Sequence, residues 1–331
     1  MQFVTTISLA AACTALPAQQ GEETQTPLEL AAASAYSEEN AGLALLVYRG
    51  SELIFEEYHN GHDQKRGQHI FSGTKSFAPV VALVAQREGI LDLDEKVCET
   101  IDEWRGDELR EQITIRHLLN FTSGLRNNDS TLHGGGVRNV YAASVACECA
   151  NTPGKRFRYG SNHLMVFGEV MKRKLAAAKP ADGEHPVDFV AYLEDRVLDP
   201  IGCTYTRWLR DEFDNPGLPY GAYMTAREWA KFGLLVRDRG VFGDRQLIPT
   251  EHFDEMFVGT KANPNYGLNF WLVGKRSKTP GAPKDIVAAS GMYKQRLYIS
   301  ESEDLVVVRL GKTRAPSRFT DKGFLKRLFG L

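Results

Sequence analysis

No stretch of the 331 residues concentrates lysine or arginine, and the 40 basic side chains are nearly matched by 42 acidic ones. The formal net charge is −2, so the chain carries no electrostatic footprint for nucleic acid. Long apolar runs are missing as well. A membrane-spanning helix needs roughly 20 apolar residues. The nearest approach is Phe3 to Pro17, apolar or small and uncharged, followed by polar Gln19 to Thr26. That pattern is the apolar region of a signal peptide rather than a span. It predicts a leader over residues 1–18, cleavage after Ala18 and export to a periplasmic or extracellular space. Ala10-Ala11-Ala12-Cys13 offers an alternative, a lipoprotein signal that would lipidate Cys13 and give the chain its route to a membrane.

Metal-ligating patterns are scarce. No histidine pair has zincin spacing, and Cys147-Glu148-Cys149 lacks the two-residue spacer and histidine partners of a zinc site. No metal and no cofactor is expected. Without Cys13, four cysteines remain: Cys98, Cys147, Cys149 and Cys203. An oxidising compartment can pair an even number, but no connectivity is readable. No serine is flanked by glycines in the Gly-x-Ser-x-Gly manner, which excludes a nucleophile elbow. His133-Gly134-Gly135-Gly136 then reads as a loop near a cleft, not an oxyanion strip. Gly311-Lys312-Thr313 fails as a phosphate loop because the required upstream glycine is Val306. His117 and His163 fall on helical segments and read as packed or hydrogen-bonded.

What is present is enough chain for one large core. Ala41 to Tyr48 and Leu53 to Tyr58, joined across Arg49-Gly50-Ser51, predict a β-hairpin. Helices are expected from about Gly73 to Gly89, from a cap at Thr114 to Asn120, and from Val140 to Cys149. Further helices are expected over His163 to Ala178, Asp188 to Val197 and Thr225 to Arg239. Later the character turns to strands: Phe270 to Val273, Ile286 to Ser290, Gln295 to Ile299 and Leu305 to Leu310, with a closing helix from Phe324 to Phe329. Strands at both ends with helices between them imply an α+β fold. One antiparallel sheet is built from both termini, about 27–90 and 265–331, and flanked by helices; a helical lobe, about 95–260, is inserted within a single domain over 27–331.

Chemistry gathers at Ser72-Gly73-Thr74-Lys75. Residues three apart on a helix share a face, so the hydroxyl and the amine can meet. Unpaired backbone N–H groups at a helix start favour charge developing on the serine. Burial weakens a lysine's preference for its charged form, which lets it take the serine proton. Ser72 is the one serine in the chain with lysine three residues on.

Phe71-Ser72-Gly73-Thr74-Lys75-Ser76-Phe77, followed by an apolar helix and Glu88-Gly89-Ile90-Leu91-Asp92-Leu93-Asp94-Glu95-Lys96-Val97, resembles the serine β-lactamase-like superfamily. Within it, the likeness is to class C β-lactamases, family VIII carboxylesterases and 6-aminohexanoate-dimer hydrolases. Thr114-Ile115-Arg116-His117-Leu118-Leu119 with Thr122-Ser123-Gly124-Leu125 continues the pattern, as do Met224-Thr225-Ala226-Arg227-Glu228 with Phe232-Gly233, and Tyr266-Gly267-Leu268. The likeness runs in the family's order from about Leu43 to the C-terminus. It implies that Tyr159, in Phe157-Arg158-Tyr159-Gly160-Ser161-Asn162, sits against Ser72, with Ser161 beside the substrate. A tyrosine, normally titrating near 10, becomes a base only where a cation such as Lys75 favours its phenolate or relays the proton.

Where those relatives carry Lys-Thr-Gly or His-Ser-Gly, this chain has Ala289-Ser290-Gly291. Ser290 keeps a hydroxyl and Gly291 permits close approach of a substrate. Ala289 supplies no cation for the carboxylate of a β-lactam, which weakens an antibiotic as substrate. The backbone N–H groups of Ser72 and Met292 are the candidate oxyanion hole, and Tyr220 is a candidate substrate wall. The resemblance implies a serine hydrolase that forms an acyl-enzyme on Ser72 and acts on a small-molecule carboxylic ester or small amide. A β-lactamase or D-Ala-type peptidase with the same nucleophile is the alternative. A binding protein that keeps the fold but not the turnover is a further one.

Overall fold

A computed structural model of the protein describes residues 26–126, 136–178, 187–277 and 279–331. The expected signal segment, Cys13 and His133-Gly134-Gly135 lie outside them. The chain opens with α1 (Leu30–Glu39), which the sequence reading did not anticipate, and then forms the expected hairpin of β1 (Gly42–Arg49) and β2 (Glu52–Tyr58). β3 (Gln68–His69) leads into a 3₁₀ turn, Phe71–Ser76, and α2 (Phe77–Arg87). Next comes α3 (Ile115–Leu119), started by the Thr114 hydroxyl, which accepts from the His117 N–H at 3.2 Å. Two short strands, β4 (Arg207–Trp208) and β5 (Ala222–Met224), complete a three-stranded sheet with β3, and β6 (Val241–Phe242) pairs with β7 (Arg245–Gln246). The chain returns through β8 (Val287–Gly291), β9 (Gln295–Ser300) and β10 (Leu305–Gly311) and ends in the helix Asp321–Leu328.

The main sheet has the order β2-β1-β10-β9-β8 and every pairing is antiparallel. Both termini build it, as expected. Leu46, Leu297, Val306 and Val308 point into the core shared with the inserted lobe. Leu45, Val47, Tyr298 and Val307 point into a second core, under α1 and the last helix. Two covered faces explain why Leu305 to Leu310 is nearly all apolar, without the alternation of a half-exposed strand. The exception is Arg309, which is fully buried. Its guanidinium donates to the carbonyls of Asn40 at 2.7 Å and Lys294 at 2.9 Å and lies 4.3 Å from the centre of the Phe319 ring. Burial pulls its pKa down to about 10. These bonds tie the left-handed turn at Tyr293 and Lys294, which follows β8, to the end of α1.

Several expectations shift at their edges. The helix starting at Val140 ends at Val145, and the one capped by Asp188 runs over Phe189–Leu193 before widening into a π-type turn. The expected strand from Phe270 to Val273 is not one. Trp271 exchanges a single pair of backbone bonds with Ala288, at 3.0 and 2.8 Å, and the chain then coils into the helix Val273–Ser277. Gly274 permits this: a Cβ there would come within 2.5 Å of the Pro283 carbonyl oxygen. Cys98, Cys147, Cys149 and Cys203 are free thiols.

The edge strand β8 lies directly along the Phe71–Ser76 turn. A Cβ at Gly291 would stand 2.0 Å from the Ile70 carbonyl oxygen, a backbone atom with little room to yield. Gly291→Ala is therefore expected to lower stability by about 1–3 kcal/mol, the usual range for overpacking. Urea unfolding should show a lower midpoint at unchanged slope; an unchanged midpoint would refute this close contact.

Candidate active site

The Ser72-Gly73-Thr74-Lys75 segment folds as a 3₁₀ turn rather than as the first turn of an α-helix. The difference helps the chemistry, because positions i and i+3 eclipse in a 3₁₀ helix. Lys75 Nζ lies 3.0 Å from Ser72 Oγ. Side-chain hydroxyls hold the turn. Thr74 Oγ1 donates to the Phe71 carbonyl at 2.6 Å and accepts from the Ala222 N–H of β5 at 3.2 Å, while Ser76 Oγ donates to the Gly73 carbonyl at 2.8 Å. Gly73 is small because the Trp229 ring would stand 2.7 Å from any Cβ there.

Phe71, just before the serine, has φ +49°, an uncommon backbone for a bulky residue. His69 supports it. The imidazole stacks on Phe71 at 3.8 Å and on Tyr223 at 4.3 Å, and Nε2 bonds to the Tyr220 carbonyl at 2.5 Å. Burial pushes the imidazole pKa down, only partly offset by that bond. The ring is thus neutral near pH 7, with Nε2–H as the donor.

Lys75 is 3% exposed. A buried ammonium is tolerated only with partners. Nζ also donates to the Pro219 carbonyl at 2.7 Å and lies 5.0 Å from the centre of the Tyr159 ring. Tyr159 belongs to an aromatic wall with Phe121 at 5.4 Å and Trp271 at 5.7 Å. The residue before it is anchored by His163, whose Nε2 bonds to the Arg158 carbonyl at 2.8 Å and whose Nδ1 meets Ser123 Oγ at 2.9 Å. His163 and His117 are hydrogen-bonded structural groups, as expected.

A cleft of about 330 Å³ opens over this arrangement, lined by Ser72, Tyr159, Ser290, Gly291 and Met292 among others. Five positions singled out from distant parts of the sequence thus share one cavity. Ser161 and Tyr220 lie outside its lining: Ser161 is buried just ahead of the helix Asn162–Ala177, and Tyr220 meets His69 through its carbonyl. Ala289 is buried in the core, so β8 offers the cleft Ser290 but no cation. The structure adds residues that no motif announced: Pro219 and His69 beneath the cleft, and Trp271, Arg276, Arg296 and Asp321 along it. A separate, more apolar cavity of about 350 Å³ lies between the helix Ala226–Arg237 and β8, and it contains none of the chemical groups gathered at Ser72.

The fold is shared with solved structures at low sequence identity. A protein from Bacillus anthracis, provisionally named a 6-aminohexanoate-dimer hydrolase, superimposes with a TM-score of 0.72 at 18% identity, covering 86% of this chain and 77% of that one. A D-stereospecific amidohydrolase from Streptomyces gives 0.65 at 18% identity, over 91% of this chain and 98% of that one. Among curated relatives, the monacolin J acid methylbutanoyltransferase of Aspergillus terreus is 29% identical over 160 residues, 41% of this chain. The chain spans 36% of that relative's length and 63% of an uncharacterised protein from Alkalihalophilus pseudofirmus. The sequence model of the beta-lactamase family matches residues 29–329, a span that holds the whole sheet, the serine–lysine turn and the cleft, and the chain belongs to that family.

Proposed function

We propose that the chain is a serine hydrolase that forms an acyl-enzyme on Ser72 and cleaves a carboxylic ester or small amide. The observation that carries this reading is the 3.0 Å contact between Lys75 Nζ and Ser72 Oγ, buried beneath an open cleft that Tyr159 also lines. With the amine neutral, the contact reverses direction and the serine O–H donates to the nitrogen lone pair. The serine oxygen then attacks the substrate carbonyl, and its proton passes to Lys75, from which the Tyr159 hydroxyl can relay it. The tetrahedral oxyanion faces the Ser72 and Met292 N–H groups, a type of contact that contributes roughly 3–4 kcal/mol to a transition state. The leaving group takes the proton as its bond to carbon breaks. Water then attacks the acyl-enzyme as its proton passes to the Tyr159 oxygen and the Tyr159 hydrogen moves on to neutral Lys75; Ser72 departs and takes that proton back. Relatives named for amide hydrolysis and acyl transfer support the chemistry of acyl groups. The small, buried Ala289 favours ester or amide over β-lactam as substrate. Export, with a mature chain starting at Gln19, belongs to the same proposal; N-terminal sequencing of protein recovered from outside the cytoplasm checks it.

Intact-mass spectrometry after a fluorophosphonate probe should show one adduct on the wild type and none on Ser72→Ala. Lys75→Met should lower kcat/KM on a reactive aryl ester by about 10²–10⁴-fold. An undiminished Ser72→Ala enzyme would end the assignment.

His69 is expected to act as a positioning residue, because its bond to the Tyr220 carbonyl fixes the segment whose neighbouring carbonyl, that of Pro219, holds Lys75. His69→Phe keeps the aromatic stack and loses the donor, so kcat should fall about tenfold with KM little changed. His69→Gln, which restores a donor, should recover part of that loss. Equal kinetics in both variants would remove the assignment.

A further inference from the structure

Alongside the small, buried Ala289, the cleft has two guanidinium groups of its own, Arg276 and Arg296, and one carboxylate, Asp321. Arg296 is already engaged. It is buried, its Nε donates to Asp321 Oδ1 at 2.7 Å, and a terminal nitrogen donates to the Gln295 carbonyl at 2.9 Å. Asp321 also accepts from the Tyr298 hydroxyl at 2.7 Å. Burial alone would raise the Asp321 carboxyl pKa; the charge and hydrogen bond of Arg296, with the Tyr298 hydroxyl and the more distant charge of Arg276, together hold the group below the usual carboxylate range. The pair is electrostatically closed.

Arg276 is in a different position. Its guanidinium makes no ion pair or side-chain hydrogen bond among the described residues, and it is exposed at the cleft rim. The carboxylate that feels its charge is Asp321, already matched by Arg296. What holds Arg276 is an aromatic face: its guanidinium carbon lies 4.7 Å from the centre of the Trp271 ring. Trp271 in turn stacks on Tyr159 at 5.7 Å, and Tyr159 carries Lys75 over its ring at 5.0 Å. A row of two aromatic rings therefore links the reactive amine to a guanidinium that, among the described residues, makes no ion pair. The chain as a whole is slightly acidic, so this excess positive charge is local to the cleft. A guanidinium kept open at a rim suits a planar carboxylate, which it can grip through two parallel N–H donors.

We propose that Arg276 is the recognition cation of this cleft, and that the substrate is an ester or small amide bearing a carboxylate, its chain lying along Trp271 between that carboxylate and the scissile carbonyl. The inference rests on the acyl-enzyme reading of Ser72. It places the anion partner on the helix after Trp271 rather than on the strand beside the nucleophile.

The test compares matched aryl esters on the full chain. One pair places the charge on the acyl group, a glutarate half-ester against a pentanoate ester; the other places it on the leaving group, 4-acetoxybenzoate against phenyl acetate. The wild type should prefer the anionic member of at least one pair by tenfold or more in kcat/KM, and the preference should shrink as salt rises. Arg276→Ala should cut that ratio at least tenfold, Arg276→Lys should retain part of it, and Arg276→Glu should invert it. If both esters of each pair are hydrolysed with equal ease, or the ratio is unchanged in Arg276→Ala, the recognition role is overturned while the Ser72 reading stands. Should Arg276→Ala lose activity on every ester, failure of Arg276→Lys to restore the preference overturns the role as well. If no ester or amide is turned over and Ser72 takes no probe, the acyl-enzyme reading itself has failed.

Discussion

A lysine nitrogen shut away from water must be surrounded by groups that tolerate its charge or accept its proton, and this demand organises the centre of the molecule. Lys75 meets it with partners from separate segments, among them the Ser72 hydroxyl one tight turn back, the Pro219 carbonyl ahead of β5, and the face of Tyr159. Each partner needs its own support. Thr74 and Ser76 fix the turn with hydroxyl bonds, His69 steadies the backbone beside Pro219, and His163 anchors the carbonyl next to Tyr159. The polar groups that hold Lys75 and its supports are paired by short local hydrogen bonds, and paired buried polar groups help to specify a single arrangement.

The sheet is the rigid part against which that network is held. Because both of its faces are covered, β8 and β10 keep their register, and a one-residue slip would drive core side chains to the wrong side. Arg309 carries the same stiffness to the turn after β8, where Tyr293 and Lys294 adopt left-handed backbone angles. Met292 therefore has a fixed position at the cleft, although its own side chain is exposed.

Much of this was legible in the residues. Turn chemistry placed the β1–β2 hairpin, the Thr114 cap placed α3, an amphipathic pattern stopped by Gly240 placed the helix Ala226–Arg237, and the return of strands after Tyr266 gave the sheet its second half. Ser72 and Lys75 were readable because helical spacing is local. Tyr159, Ser290 and Met292 came through family resemblance, since their meeting depends on tertiary packing. What stayed hidden has physical causes. The 3₁₀ form of the serine turn is decided by Thr74 bonding to β5, far away in sequence. Pro219 acts through its backbone, which leaves no side-chain signal. The stretch from Phe270 to Val273 has strand composition, but a single bridge to Ala288 and the crowding at Gly274 turn it into a coil and a helix. Arg296 and Asp321 are ordinary surface types in the sequence, and only the fold joins them.

Joining the first and last strands of the domain also sets an order of events in synthesis. The bond from Arg309 to the Asn40 carbonyl closes 269 residues of chain, and β1 has no partner on one side until β10 exists. A ribosome must therefore have made the chain through β8 before the serine turn acquires the strand that flanks it. Until β10 follows, β1 exposes an unpaired apolar edge, the kind of surface that sticks to other nascent chains.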